Sequence, residues 1–326
     1  MTIYREFIII FIVIHEILSM AISKSVREDI DILKQEYDSL RKGKETLLDM
    51  IMEAETPESV YNSNAIENST LTISETEKIL LEMDIDREVS VREVFEVKNL
   101  ARVMEYIRKK IDIHPMDRER ILLLHQMLIA NINDNIAGRF RGQGEYVRVG
   151  THIAPAPEHI EVMIASALSE YGKISEYILD RIARFHLEFE YTHPFCDGNG
   201  RIGRVIMNYQ LMQAGFPPVI IRDKEKQDYY DTFKEYQNSN KKKTSGMEKI
   251  LVLALEESLH KRIAYLKGLQ IIPLAEYAKK NNESHRTLLN KAKRQTIPAF
   301  REKGVWKIGE EFVLQEGESE VRKGED

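Results

Sequence analysis

Apolar positions recur along most of this chain at helical rather than strand spacing. Residues 91–111 (VREVFEVKNLARVMEYIRKKI) place Val94, Val97, Ala101, Met104 and Ile107 on one helical face. Residues 116–132 (MDRERILLLHQMLIANI) predict another helix. In residues 175–192 (SEYILDRIARFHLEFEYT), Ile178, Ile182, Phe185 and Phe189 form one apolar stripe. That helix must end by His193, because Pro194 disfavours helical geometry in the residue before it. Residues 201–215 (RIGRVIMNYQLMQAG) read as the next helix, closed by Gly215. A last long helix spans residues 247–268. Nearer the start, residues 25–52 predict solvated helix. Residues 73–83 (ISETEKILLEM) carry a capping-box signal, with Ser74 as cap and Glu77 three residues on.

Strand signal is sparse. Residues 144–157 (GEYVRVGTHIAPAP) have Tyr146, Val147 and Val149 between glycines and prolines, which predicts a short hairpin. Beyond Gly268, residues 274–295 read helix, turn, helix, and residues 297–309 read as a hairpin turning at Lys303 and Gly304. The pattern predicts a mainly α fold with a short β-hairpin, plus a small C-terminal module like a winged helix-turn-helix.

Composition narrows the function classes. The chain has 326 residues, 31% charged and 43% hydrophobic, with a net charge of -6. It is no polycationic nucleic-acid coat. One cysteine, Cys196, excludes an internal disulfide and any metal site built on several thiolates. Residues 7–14 (FIIIFIVI) are strongly apolar but far shorter than the about 20 residues a spanning helix needs. They read as a signal-peptide core, with Ser19 and Ala21 near a cleavage point, or as residues preceding a true start at Met20. A cytoplasmic product with no stable membrane anchor is expected.

Residues 193–201, HPFCDGNGR, do not belong in a core. Following one helix and opening the next, they present consecutive backbone N–H groups at a helix N-terminus, a nest for phosphate. Gly198 and Gly200 let the backbone approach an anion. Asn199 tolerates the left-handed geometry such a turn needs. Arg201 and Arg204 lie three apart on one face at the phosphate end. Asp197 beside a phosphate nest calls for a cation between them, and Mg²⁺ suits one carboxylate plus phosphates. His193 accepts a proton near neutral pH. Together these residues describe nucleotide phosphate transfer. On spacing alone, a Cys196–His193 nucleophile is the other reading.

HPFCDGNGRIGR matches, at every fixed position, the Fic signature His-x-Phe-x-Asp/Glu-Gly-Asn-Gly-Arg-x-x-Arg, and the chain resembles the Fic family from about Pro115 to Gly268. The resemblance implies an all-α Fic core with a β-hairpin flap, and AMP transfer from ATP to a Ser, Thr or Tyr hydroxyl of a target protein or of the chain itself. Some Fic relatives move phosphate, UMP or phosphocholine instead. The resemblance makes His193 the general base and Asp197 the Mg²⁺ ligand. It makes Gly198, Asn199 and Gly200 the anion hole, Arg201 a ligand of the outer phosphates and Arg204 the ligand of the γ-phosphate. Ile202 and Gly203, between the arginines, count with the nucleotide-binding stretch. Phe195 anchors the loop. Val149, Gly150, Thr151 and His152 match the flap over nucleotide and target, and Tyr229 and Tyr230 match the adenosine pocket.

SNAIEN, residues 63–68, puts Ser63 and Glu67 four apart on one helical face, with Asn68 suited to the C-terminal cap. It resembles the family's inhibitory helix, Ser/Thr-x-x-x-Glu-Gly/Asn. The resemblance pairs Glu67 with Arg204 and takes that arginine from the γ-phosphate. Relatives also use this glutamate to position water and remove AMP. At the other end, residues 277–307 carry nine Lys/Arg against two Asp/Glu in an acidic chain. That charge fits DNA binding and equally a protein-docking surface. The expected organisation is an apolar segment 1–24, a helical region 25–112, a Fic domain 113–268, the winged module 269–315 and a disordered tail 316–326. A homodimer is left open. The competing reading is a DNA-binding regulator whose Fic domain senses nucleotide.

Overall fold

The computed structural model describes residues 22–111, 115–150 and 152–314. Of the expectations above, the N-terminal apolar run, Thr151 and the tail from 315 lie outside the described residues.

Two helices fill the stretch read as one solvated segment. α1 (Lys24–Leu40) is capped by Ser23, and α2 (Glu45–Ile66) follows a break at Gly43, whose φ is +72°. α3 (Ile73–Leu80) begins two residues earlier than expected. Its capping box is Thr72 with Glu75, not Ser74 with Glu77: Thr72 Oγ1 accepts from Glu75 N–H at 3.2 Å, and Glu75 Oε2 accepts from Thr72 N–H at 2.7 Å. Both pairs satisfy the pattern. The helix buries Thr76 and Ile79.

α4 (Val91–Lys109) and α5 (Arg118–Ile129) are capped by Ser90 and Asp117. The hairpin is a two-strand antiparallel pair, β1 (Arg148–Val149) and β2 (His152–Ile153), with Val149 opposite His152. α6 (Ile160–Tyr171), α7 (Ile178–Thr192), α8 (Asn199–Gln213), α9 (Lys226–Asn238) and α10 (Ser245–Lys267) complete the helical body. α8 lies at its centre, with eleven of its fifteen residues buried. It separates one core cluster, on α1, α7, α9 and α10, from another on α4, α5 and α6, and it contributes to both.

Past Gly268 the chain forms β3 (Ile271–Pro273), α11 (Leu274–Lys280), α12 (His285–Lys293), β4 (Phe300–Glu302) and β5 (Val305–Gly309). The strands form one antiparallel sheet in the order β3-β5-β4. β3 was not legible in the pattern, because a three-residue strand ending in proline carries no alternation. This part has its own small core, including Leu274, Tyr277, Leu288, Ala292 and Ile308. Among the described residues, no helix is long and apolar enough to cross a membrane.

Candidate active site

α7 stops where Pro194 dictates. His193 takes the left-handed conformation (φ +47°), with its N–H donating to Phe189 O at 2.9 Å. The chain then turns back through Gly198 (φ +80°) into α8. Asn199 departs from expectation. It is the first helical residue, and the left-handed positions go to Gly198, which has no Cβ, and to His193. The Asn199 amide instead fastens the loop, accepting from Phe195 N–H at 2.9 Å and donating to Phe195 O at 2.8 Å.

Three contacts hold this loop in place. Phe195 is fully buried and stacks on the His125 ring, with centroids 3.6 Å apart and planes 4° off parallel. Gly138 N–H donates to His125 Nδ1 at 3.0 Å, so the ring proton sits on Nε2 and is given to Asp197 O, also at 3.0 Å. Burial pushes the His125 pKa down to about 4, which keeps this tautomer neutral. Arg141 is the third support. Its guanidinium donates to the carbonyls of His193, Thr192, Glu145 and Pro155, and its N–H to Pro194 O. One buried cation thus ties the end of α7 to both sides of the hairpin.

His193 is mostly buried. Its Nδ1 lies 3.3 Å from Glu190 O, and a carbonyl can only accept, so Nδ1 carries the proton and Nε2 is the basic nitrogen. Burial pushes its pKa down to about 4, so the ring is neutral at pH 7. The Glu190 side chain stands beside it, with Oε2 3.8 Å from Nδ1. Burial, then the charge of Glu67, push the Glu190 carboxyl up to about 8. Cys196 is a poor nucleophile: burial and Glu145 push its thiol up, which disfavours the thiolate.

The two arginines of α8 have acidic partners. Arg201 reaches Asp197 Oδ1 at 3.2 Å and Glu96 Oε1 at 3.1 Å, and Arg92 reaches Asp197 Oδ2 at 2.5 Å. Burial opposes the Asp197 charge, but Arg201 and Arg92 hold its carboxyl below the usual range. Arg204 lies deeper, with 6% of its side chain exposed. Its Nε donates to Ser63 Oγ at 3.0 Å, and its Nη2 to Ser63 O at 2.8 Å and Glu67 Oε1 at 2.9 Å. Ser63 and Glu67 meet this one guanidinium because they share a face at the end of α2. There Asn68 takes φ +66°, and the N–H groups of Asn68 and Ser69 close the helix on Ala65 O and Asn64 O.

Gly200 sits under this contact. A Cβ added there would lie 2.2 Å from Glu67 Oε1 and 3.1 Å from Arg204 Nη1. Gly203 faces the other way, where a Cβ would meet Glu190 Oε1 at 2.5 Å. Ile202 is buried in the core shared with α4 and α5. Tyr229 is fully buried below Arg204, its hydroxyl 3.4 Å from Nη1 and 2.7 Å from His186 Nε2. Tyr230 donates to Ile66 O at 2.6 Å, on the last turn of α2. On the flap, Val149 is exposed and His152 lies 2.9 Å from Tyr191 O; Gly150 takes φ +58° in the turn.

Residues 115–211 match the model of the Fic/DOC family. The chain is 35% identical over 178 residues to the protein adenylyltransferase Fic of Nematostella vectensis, covering 53% of this chain and 41% of that protein. It is 34% identical over 184 residues to the protein of the same name in Drosophila willistoni, covering 54% and 36%. The chain thus spans less than half the length of these curated relatives. A Fic domain containing signaling protein from Bacteroides thetaiotaomicron superposes with a TM-score of 0.66 at 23% identity, over 73% of this chain and 97% of that one. A Fic family protein from Desulfovibrio desulfuricans gives 0.61 at 18% identity, over 90% and 98%. At such identities the structural likeness establishes the fold alone.

Proposed function

We propose, from the premise that residues 115–211 form a Fic domain, that this chain transfers AMP from ATP to a protein hydroxyl. The observation that carries the reading is a neutral, mostly buried His193 on the loop that leads into the N-terminus of α8, whose first two turns hold Gly200, Arg201 and Arg204. His193 Nε2 takes the hydroxyl proton. The hydroxyl oxygen bonds to the α-phosphorus, and the bond from that phosphorus to the bridging oxygen of pyrophosphate breaks. Backbone N–H groups at Gly198, Asn199 and Gly200, with Arg201, receive the phosphate charge. Tyr230 and the flap around Val149, Gly150, Thr151 and His152 complete the nucleotide and target site, and Tyr229 holds Arg204 from below.

The donor set suits a cation that arrives on the triphosphate. Among the described residues there is no cluster of three or more metal-binding side chains, and Asp197 offers one carboxylate, with phosphate oxygens as the other ligands. When bound there, Mg²⁺ would offset phosphate charge; until then Arg92 and Arg201 neutralise Asp197.

Glu67 acts as a brake. Held on Arg204, it takes the guanidinium that the γ-phosphate needs. Its own side chain is 37% exposed, so it can leave while Arg204 stays in place. The same carboxylate, kept in place, offers a site for a water that removes AMP from a modified target.

A DNA-contact reading of the C-terminal unit is favoured by one observation. Arg301, Lys303 and Lys307 of the hairpin are spent on ion pairs with acids, whereas Arg286 and Lys293 of α12 are exposed and have no ion pair among the described residues. Retardation of duplex DNA at low salt, lost in Arg286→Glu/Lys293→Glu, is the expected outcome. Unchanged retardation in that variant points away from α12.

The transfer itself is tested with two labels. ATP labelled at the α-phosphate should mark protein, and ATP labelled at the γ-phosphate should not. The reverse pattern would replace AMP transfer with phosphate transfer.

A further inference from the structure

The end of α2 is fixed on Arg204, and its middle is fixed on the C-terminal unit. Glu58, nine residues before Glu67 on the same stretch, is 4% exposed. Its Oε2 accepts from Lys303 N–H at 3.0 Å and its Oε1 from Gly304 N–H at 3.1 Å, the two residues that turn the β4–β5 hairpin. Both take positive φ, +47° and +78°, which aims successive N–H groups at one carboxylate. Arg222 pairs with Glu58 and with Glu257, and Glu257 also takes Arg301 of β4. One turn earlier on α2, Glu55 pairs with Lys261 and Arg262 of α10, and Lys261 reaches Glu302 of β4. At the rim, Lys303 Nζ reaches Glu77 of α3 at 2.9 Å.

These contacts are ionic, and the C-terminal unit keeps most of its apolar residues in a core of its own, with Phe300 of β4 the buried ring that packs on Tyr265 of α10. An interface of this kind can open without exposing a large apolar face, and it holds only in one geometry, because a buried carboxylate is costly without its donors. The lever is short and stiff. About two and a half helical turns separate Glu58 from Glu67.

We infer that Glu58 is a positioning residue for Glu67: by fastening α2 to the turn of the C-terminal hairpin it holds Glu67 on Arg204, and a ligand that draws the hairpin away releases the active site. This rests on the reading of Glu67 as a brake. It gives the C-terminal unit a part in controlling the transfer.

The test measures incorporation of α-labelled AMP into the full chain itself. Wild type is compared with Glu67→Gly, Glu58→Gln, Lys303→Glu, and Lys303→Glu combined with Glu67→Gly. Lys303 is exposed, so Lys303→Glu spares the core while setting a like charge against Glu77 and Glu58. Both Glu58→Gln and Lys303→Glu should raise incorporation about five-fold or more, the lower end of ordinary coupling between sites. In the Glu67→Gly background, Lys303→Glu should add nothing, because the brake is already gone. A purely structural role would instead lower incorporation in step with the melting temperature. Wild-type rates in Glu58→Gln and Lys303→Glu beside a raised rate in Glu67→Gly would overturn this inference and leave the brake standing. No rise in Glu67→Gly would overturn the brake itself.

Discussion

The residues to which the proposed transfer assigns chemistry are few, and two predictions belong to them. His193→Ala should lose about a hundred-fold or more of the transfer, the usual worth of a general base, with ATP affinity nearly unchanged in a binding titration. Equal loss of affinity would make His193 a binding group instead. Glu190 is a second acid inside the site, and burial with Glu67 nearby pushes it up to about 8. Its folded pKa lies above its unfolded value, so between about pH 4.5 and 8 the folded chain binds the extra proton. Stability from this group is therefore lost as pH rises through that window. Glu190→Gln removes the dependence: urea unfolding should show the variant gaining on wild type from pH 5 to 8, by on the order of 3 kcal/mol. A constant difference across that range would mean that Glu190 is ionised throughout. His193, Asp197, Gly198, Asn199, Gly200, Arg201 and Arg204 were legible as a candidate site because they fall within twelve successive residues that close α7 and open α8. Glu190, His125 and Arg141 were not. Each lies in a stretch with an ordinary structural pattern; the last turn of α7 sets Glu190 beside His193, and only the fold brings His125 and Arg141 to the loop.

At the scale of elements, periodicity and stop signals located α4, α5, α7, α8 and α10, and Pro194 and Gly268 ended two of them where expected. The failures were of register and of short strands. Overlapping Thr72 and Ser74 boxes cannot be separated without knowing which turn is buried, and β3 is defined by its partner β5 rather than by its own residues. What joins elements at the site is polar. Arg141 donates to the ends of α7 and the hairpin from one buried guanidinium, a role its sequence neighbours do not signal. Arg141→Met keeps the bulk and removes the donors. It should destabilise the chain by roughly 2–4 kcal/mol, because buried carbonyls lose charged partners, and it should lower the transfer rate more than ATP affinity. A melting temperature equal to wild type would mean that the loop and hairpin are held by other contacts.

Over the whole molecule, the helical body that carries the Fic/DOC match at residues 115–211 is flanked by N-terminal helices and a C-terminal unit that meet on α2. The N-terminal side supplies Glu67 and Ser63 to Arg204, and through α4 it supplies Arg92 and Glu96 to Asp197 and Arg201. Arg201 and Arg204 therefore each have an acidic partner from outside residues 115–211, Glu96 and Glu67. The sequence contained the Ser63–Glu67 spacing, but not the ionic joint between α2 and the hairpin, since Glu58, Arg222, Glu257 and Arg301 are far apart along the chain. The central claim is that the chain transfers AMP with His193 as the general base and that Glu67 restrains the transfer by occupying Arg204. The most direct measurement is the initial rate of incorporation of α-labelled AMP by wild type, Glu67→Gly and Glu67→Gly/His193→Ala at equal folded concentration. The account predicts a rate roughly ten-fold or more above wild type in Glu67→Gly, and loss of that rate when His193 is also replaced. Equal rates in wild type and Glu67→Gly, or a gain that survives removal of His193, would contradict it.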